Sequence, residues 1–325
     1  MGETKANQTD KRWAIISLAS VPLIMTLGNS MLIPILPMME KELDISKLQS
    51  SYIITVYSVI AIFFIPIAGY LSDRFGRKRI IVPALIITGI GGLIAGWASW
   101  KVENPFMFII LGRILQGIGA SGAMPIVLPL VGDMFRSDKE ASTTLGIIET
   151  SNTVGKVLSP ILGALLAAII WFMPFFSIPV FCAISTLLIL FLIKSKEDEA
   201  SDMSLKKYWK LIQSVFKEHV KWLIAVFIIG AILMFILFGF LFYLSSILED
   251  DYKFEGVIKG LLLAIPLLAL SLASYISGKK IKDNLVVMKW VTFIGIVIVG
   301  VSVALIPFLK TPLYLLSIFF ICGIG

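Results

Sequence analysis

The chain has 325 residues, 58% of them hydrophobic and 15% charged, with a formal net charge of +7 and a mean hydropathy of +0.95. Soluble domains hold about half apolar and a quarter charged residues, so this composition excludes a soluble protein and specifies one that lives in a membrane. One histidine, His219, and two cysteines, Cys182 and Cys322, both inside apolar runs, leave no histidine cluster, disulfide framework or metal-ligand spacing; no enzyme activity, cofactor or metal is expected.

The polar start "MGETKANQTDKR" leads into an apolar run too long for a removable signal and without a small-residue cleavage site. Ala6 stands where a myristoylation signal has Ser or Thr. Apolar runs lie near 13–37, 50–71, 80–99, 105–130, 142–169, 172–193, 222–247, 256–277, 286–307 and 312–325. At about 1.5 Å per residue such runs cross a hydrocarbon core of roughly 30 Å. The tenth reaches Gly325 about 15 residues into a span that needs about 20, so the sequence reads as a fragment or an interrupted frame, truncated in its tenth transmembrane helix.

Six spans precede the longest polar stretch, "KSKEDEASDMSLKKYWKLIQSVFKEHVKW", and the rest follow it. This divides the chain into an N-terminal six-helix bundle (1–194), a linker (195–220) and an incomplete C-terminal bundle (221–325). Within the linker, Leu205, Tyr208, Trp209, Ile212, Val215 and Phe216 recur at helical spacing, with Lys206, Lys207, Lys210 and Lys217 between them. Two readings fit: an amphipathic helix lying on the inner leaflet, or a solvated linker folded against the protein's own loops. Lys and Arg fall as 3 in the N-terminal tail, 4 in 74–79, 2 in 136–139, 7 in 194–221 and 4 in 279–289, whereas the alternate loops hold 6. That asymmetry predicts a multi-pass cell-membrane protein with a cytoplasmic N-terminus and linker; the basicity encodes topology, not a nucleic-acid partner.

The halves echo each other. "GYLSDRFGRKRIIV" (69–82) follows the second span and "SYISGKKIKDNLVV" (274–287) the eighth, aligning Tyr70 with Tyr275 and Arg74 with Lys279. Gly117 and Gly119 of the fourth span fall near Gly323 and Gly325 of the tenth. Parallel six-helix repeats with substrate held between them at mid-membrane are a transporter architecture.

The first of these segments forms a tight turn with Gly-x-x-x-Asp-x-x-Gly spacing. It resembles the loop 2–3 signature of the major facilitator superfamily, matched at Gly69, Leu71, Asp73, Gly76, Arg77 and Lys78. "LGRILQGIGAS" resembles the family's fourth-helix pattern, with membrane-embedded Arg113 followed by Gln116. "GIIETSNTVGKVLSPILGA" resembles the fifth-helix antiporter pattern at Gly146, Gly155, Pro160 and Gly163, with Ser159 and Ala164 where that pattern has glycine. The resemblance implies the all-helical major facilitator fold and, from the antiporter pattern, outward transport of a drug or a secreted metabolite such as a siderophore in exchange for protons. It also implies that Arg113 takes part in proton transfer.

The stretch 146–160 places Glu149, Asn152 and Lys156 in a run that otherwise reads as lipid-spanning, where an ionisable group costs roughly 3 kcal/mol. At about 100° per residue the three fall within about 60° of one another, with Gly155, Ser159 and Gly163 as a small-residue stripe beside them. The polar stripe is expected to face a cavity between the bundles, and the smooth one to pack on span eight. Glu149 is the candidate proton carrier, through a carboxyl shifted by burial. Lys156, Asn152, Gln116 and Asn29 are candidates for the substrate cavity, Lys156 for an anionic group. Alternatively, Glu149, Lys156 and Arg113 form a purely structural network. Asp73 and its neighbouring cations are expected to latch the two bundles at the cytoplasmic side.

The sequence thus predicts a monomeric secondary transporter whose partners are the bilayer, protons and a small molecule, working by alternating access. The competing reading is a non-transporting membrane protein, either a truncated product or a sensor that keeps the fold.

Overall fold

The computed structural model describes residues 2–135, 138–193, 204–281, 285–306 and 311–325. Arg136, the first part of the linker (194–203) and the side chains of Tyr275 and Lys279 lie outside the described residues. Among the described residues every regular element is a helix.

α1 (Gly2–Ser30) gives way to a 3-10 turn, Ile33–Ile35, and to α2 (Leu36–Leu43), each of the latter two carrying a proline in its first turn. Proline has no N–H to donate, and in a first turn that N–H would have no intrahelical partner, so it is tolerated there. α2 ends at left-handed Asp44, with φ 51°. Ser46 then opens α3 (Lys47–Phe75) with a capping box: its Oγ accepts from the Gln49 backbone N–H at 3.2 Å, and Gln49 Oε1 accepts from the Ser46 N–H at 2.9 Å. Gly76, at φ 95°, makes the turn into α4 (Arg77–Lys101), a conformation that favours glycine. There follow α5 (Phe106–Met134), α6 (Asp138–Ile169), α7 (Met173–Leu192), α8 (Leu205–Asp250), α9 (Gly256–Ile281), α10 (Leu285–Leu305) and α11 (Pro312–Ile324).

Each apolar run read from the sequence coincides with a helix, the first spread over α1 to α2. Among the described residues eight spans are long and apolar enough to cross a membrane by length and composition, and two shorter apolar helices follow. The expected linker helix and span seven are one helix, α8, interrupted only at His219 (φ −116°, ψ 20°). The break falls where the amphipathic pattern gives way to a uniformly apolar run. One segment is suited to an interface and the other to a crossing, so the axis must turn between them.

The helices approach through side chains they lack. A Cβ on Gly91 of α4 would lie 2.5 Å from the Gly112 carbonyl oxygen of α5, and a Cβ on Gly112 2.5 Å from that of Gly91; lipid offers no hydrophobic drive, so van der Waals contact through small residues holds such pairs. Gly117 of α5 sits on the Tyr57 carbonyl of α3 and Gly119 on the Ala84 carbonyl of α4, while Gly323 of α11 sits on the Pro266 carbonyl of α9 and Gly325 on the Gly295 carbonyl of α10. The sequence echo is therefore an echo of packing: span four meets spans two and three as span ten meets eight and nine. Two buried clusters, around Leu18, Ile81 and Val127 and around Leu32, Ile53 and Phe175, are drawn from α1 to α7. A third joins Leu244, Leu263, Leu315 and Phe319 to Ile33 of the 3-10 turn, which puts the seam between the halves at the end of span one.

Candidate functional site

α5 carries Arg113 into the middle of the first seven helices, where it is fully buried. Its Nε donates to the Ile53 carbonyl of α3 at 2.6 Å, Nη1 to Gln116 Oε1 at 2.5 Å, and Nη2 to Asn29 Oδ1 of α1. The guanidinium carbon lies 4.6 Å from the Tyr57 ring centroid. Every acceptor is neutral, so the desolvated cation is held by charge-assisted hydrogen bonds and a ring face rather than by a counterion. Asn29 and Gln116 are buried and occupied by this arginine and line none of the cavities described below. Gln116 Nε2 has no protein partner among the described residues.

Three residues before Asn29, on the same face of α1, Thr26 Oγ1 donates to Asn152 Oδ1 at 2.5 Å, and Asn152 Nδ2 donates to Glu149 Oε1 at 3.2 Å. Arg113 and Glu149 are thus joined through one turn of α1. Asn152 is buried, but Glu149 is exposed, because residues 145–150 of α6 are open around all but Ile148. Lys156 and Pro160 lie within about 40° of Glu149 around the helix. Both border a small cavity with Leu237, Phe238 and Leu241 of α8 and Leu263 of α9. Lys156 also opens into a second cavity of about 420 Å³ between α8, α9, α10 and α11, as its one charged side chain among the described residues. Among those residues Lys156 makes no ion pair and no hydrogen bond.

The small-residue stripe does not pack on span eight. A Cβ on Gly155 would lie 3.1 Å from the Leu23 carbonyl, Ser159 Oγ reaches the Gly155 carbonyl at 2.6 Å and that of Thr26 at 3.5 Å, and Gly163 meets the Met31 carbonyl; the partner is span one. Span eight meets the adjacent strip through its own glycine, Gly260, where a Cβ would lie 2.5 Å from the Pro160 carbonyl oxygen and 2.9 Å from Ala164 Cβ. Because α9 supplies the missing side chain there, α6 needs none. Gly146 faces open space.

The largest of the described cavities, about 830 Å³, lies between α3, α5 and α8. Phe235, Phe238 and Phe242 face Met124 and Tyr57 across it, and its polar groups are the hydroxyls of Ser51, Thr55, Tyr57 and Ser58.

The 69–79 turn is built inward. Arg77 pairs with Asp73 at 3.0 Å and with Asp133 at the end of α5, and Lys78 donates to the Leu190 and Ile193 carbonyls at the end of α7 at 2.9 and 2.6 Å. Among the described residues the ion pairs of Asp73 and Arg77 stay within α3, α4 and α5, and Lys78 hydrogen-bonds backbone at the end of α7; the corresponding residues of the second half, 282–284, lie outside the described residues. The turn's contact beyond them is to the linker helix, where Tyr70 and Tyr208 rings lie 5.3 Å apart. No motif singles out Asp133 as the partner of Arg77.

The ion pairs that do cross the seam lie at the opposite end. Buried Glu249, ending α8, accepts from Lys41 of α2 across the seam at 2.7 Å and, within its own half, from Lys259 of α9 at 2.6 Å. Asp250 pairs with Lys47 at 3.0 Å, and Lys47 also donates to Ser246 at 3.5 Å. Lys41, Glu249 and Lys259 border a pocket of about 300 Å³ with Glu42 and Glu255. Sequence reasoning passed over these residues as ordinary loop charges. The signal was present in their position, at span ends on the side where lysines are scarce.

Long apolar helices around seam cavities, with an unpaired ammonium in one wall, define a membrane transport protein. The major facilitator superfamily model matches residues 18–325, and the chain belongs to that superfamily. It is 54% identical over 289 residues to the bacillibactin exporter of Bacillus subtilis (strain 168), covering 89% of this chain and 72% of that protein. It is 28% identical over 253 residues to multidrug resistance protein 2 of the same organism, covering 77% of this chain and 61% of that protein, less than two thirds of its length. A crystal structure of a D-xylose–proton symporter superposes with a TM-score of 0.69 over 96% of this chain and 79% of that one at 13% identity, a likeness of fold alone.

Proposed function

We propose that the chain exports a small anionic organic compound, a siderophore of the kind its 54%-identical relative is named for, in exchange for protons and as a monomer. The observation that carries this reading is Lys156: a cation at the seam, without an anion among the described residues and open to two cavities. An anionic substrate would supply the charge-assisted hydrogen bond that Lys156 lacks among the described residues. The apolar 830 Å³ cavity, which shares Ile33, Met234 and Phe238 with the small cavity that Lys156 borders, suits the aromatic or aliphatic body of such a compound.

Alternating access is the mechanism we infer. The Glu249 and Asp250 pairs close one end, which the distribution of basic loops assigns to the outside, while α6 near Glu149 and α8 near Phe235 stay open toward the other. Glu149 carries the exchanged proton. Arg113 contributes through α1, by fixing Asn29 and thereby the Thr26 hydroxyl that orients Asn152 against Glu149. The continuity is spatial, and its coupling is a question for double-mutant cycles. The domain division at 194 and 221 is retained as the boundary of the rocking units.

The test is uptake of radiolabelled bacillibactin into everted vesicles with a proton gradient imposed. Uptake that collapses when the gradient is dissipated, and fails in Lys156→Gln, is the expected result. Gradient-independent uptake would reject exchange, and unaltered uptake by Lys156→Gln would reject the anion site.

A further inference from the structure

The linker segment of α8, Leu205 to Glu218, divides cleanly around its axis. At about 100° per residue, an apolar arc runs from Leu211 through Tyr208, Ile212 and Phe216 to Trp209, and every polar residue falls on the remaining arc, which carries four lysines. From 205 to 221 there are five lysines against one glutamate. The protein covers only one strip of the apolar arc: Tyr208 and Ile212 are half-buried, whereas Trp209 and Phe216 are each 43% exposed and Leu211 55%. What pins that strip is the 69–79 turn, since the Tyr208 hydroxyl lies 3.1 Å from where a Cβ on Gly69 would stand. Beyond the break at His219, Trp222 opens the membrane-spanning run.

An uncovered apolar arc bordered by lysines, continuous with a membrane span and flanked by tryptophans, has the chemistry of a helix seated in an anionic lipid surface. We propose that this helix binds anionic phospholipid headgroups with Lys206, Lys207, Lys210 and Lys217. Tyr208, seated over Gly69, passes the leaflet's charge to the signature turn, so that the lipid around the transporter regulates it. Headgroup binding draws the helix toward the leaflet and shifts the load on the Gly69 contact; a neutral leaflet leaves the helix resting on the turn alone. The regulatory part rests on the transport reading above, but the binding part does not.

The full chain, with Cys182→Ser and Cys322→Ser and a nitroxide on Leu211→Cys, is reconstituted into vesicles of phosphatidylglycerol or of phosphatidylcholine. The ratio of oxygen to aqueous nickel-chelate accessibility is then read by power saturation. We expect that ratio to be several-fold higher in phosphatidylglycerol, and the difference to vanish when the four lysines become glutamine. Equal ratios in the two lipids, or a difference that survives the glutamine variant, would overturn lipid binding whichever way the chain is oriented. Uptake in the same vesicles tests the coupling: it should depend on lipid charge in the parent and lose that dependence in Tyr208→Ala, and a dependence retained by Tyr208→Ala would overturn it. If the parent takes up nothing in either lipid, the transport reading fails and regulation with it, while the accessibility ratio still decides lipid binding.

Discussion

Two side chains on one face of α6 carry the proposed exchange, and they stand in different environments. Glu149 is exposed and accepts one hydrogen bond from Asn152. Glu149→Gln keeps the shape and that hydrogen bond while removing the titrating group; gradient-driven uptake should fall to background with the protein inserted and folded as before, as judged by membrane yield and thermal melting. Lys156 is the opposite case, a charge without an anion. A charge-assisted hydrogen bond is worth about 1.5–3 kcal/mol, so Lys156→Gln should weaken an anionic substrate about 10–100-fold in apparent Kd and leave a neutral dye untouched. Arg113 is engaged on every side by neutral groups of α1, α3 and α5, and its loss should register first as instability.

Between helices, what counts is the side chain that is missing. The three α6 glycines of the antiporter pattern face three different surroundings: open space at Gly146, a contact 3.1 Å away at Gly155, and the Met31 carbonyl overlapping the Cβ position at Gly163. Alanine should therefore be harmless at 146, where helix propensity favours it by up to about 1 kcal/mol, mildly destabilising at 155, and destabilising by about 1–3 kcal/mol at 163, where backbone must move. Melting temperatures of the three variants in one detergent check that order; equal losses at all three would show that the pattern acts through something other than the contact with α1. α6 also shows the limit of a sequence reading at this scale. The spacing of Gly155, Ser159 and Gly163 fixes that a close neighbour exists, but small residues carry no mark of which helix it is.

At the scale of the molecule, the seam is closed at one end by Lys41, Glu249 and Lys259 together with Lys47 and Asp250, and holds cavities along the rest of its length. Removing the Glu249 charge leaves Lys259, 4% exposed, without its carboxylate. Breaking that buried pair costs about 3 kcal/mol within the C-terminal half, and in Glu249→Gln the loss of the Lys41 contact that crosses the seam should let that end open, seen as labelling of a Ser246→Cys reporter by an impermeant maleimide that does not label it in the parent. A disulfide between Lys47→Cys and Asp250→Cys should do the reverse, arresting uptake until a reductant is added. Uptake that continues through the oxidised pair would mean that this end does not separate during transport.

The sequence by itself determined the elements and the family. Apolar runs, the turn at Gly76 and the echo of Gly117 and Gly119 in Gly323 and Gly325 are local or periodic, and each survives into the structure because lipid forces every backbone group to bond within its own helix. Only the tertiary structure decided which partners those helices take. Arg113 is met by Asn29 and Gln116 instead of a carboxylate, α6 rests its glycines on α1, the signature turn turns inward to Asp133, and the pairs closing the seam come from loop charges at its far end. The physical reason is that packing in a bilayer runs on shape and on a few charges, and both are properties of two surfaces at once.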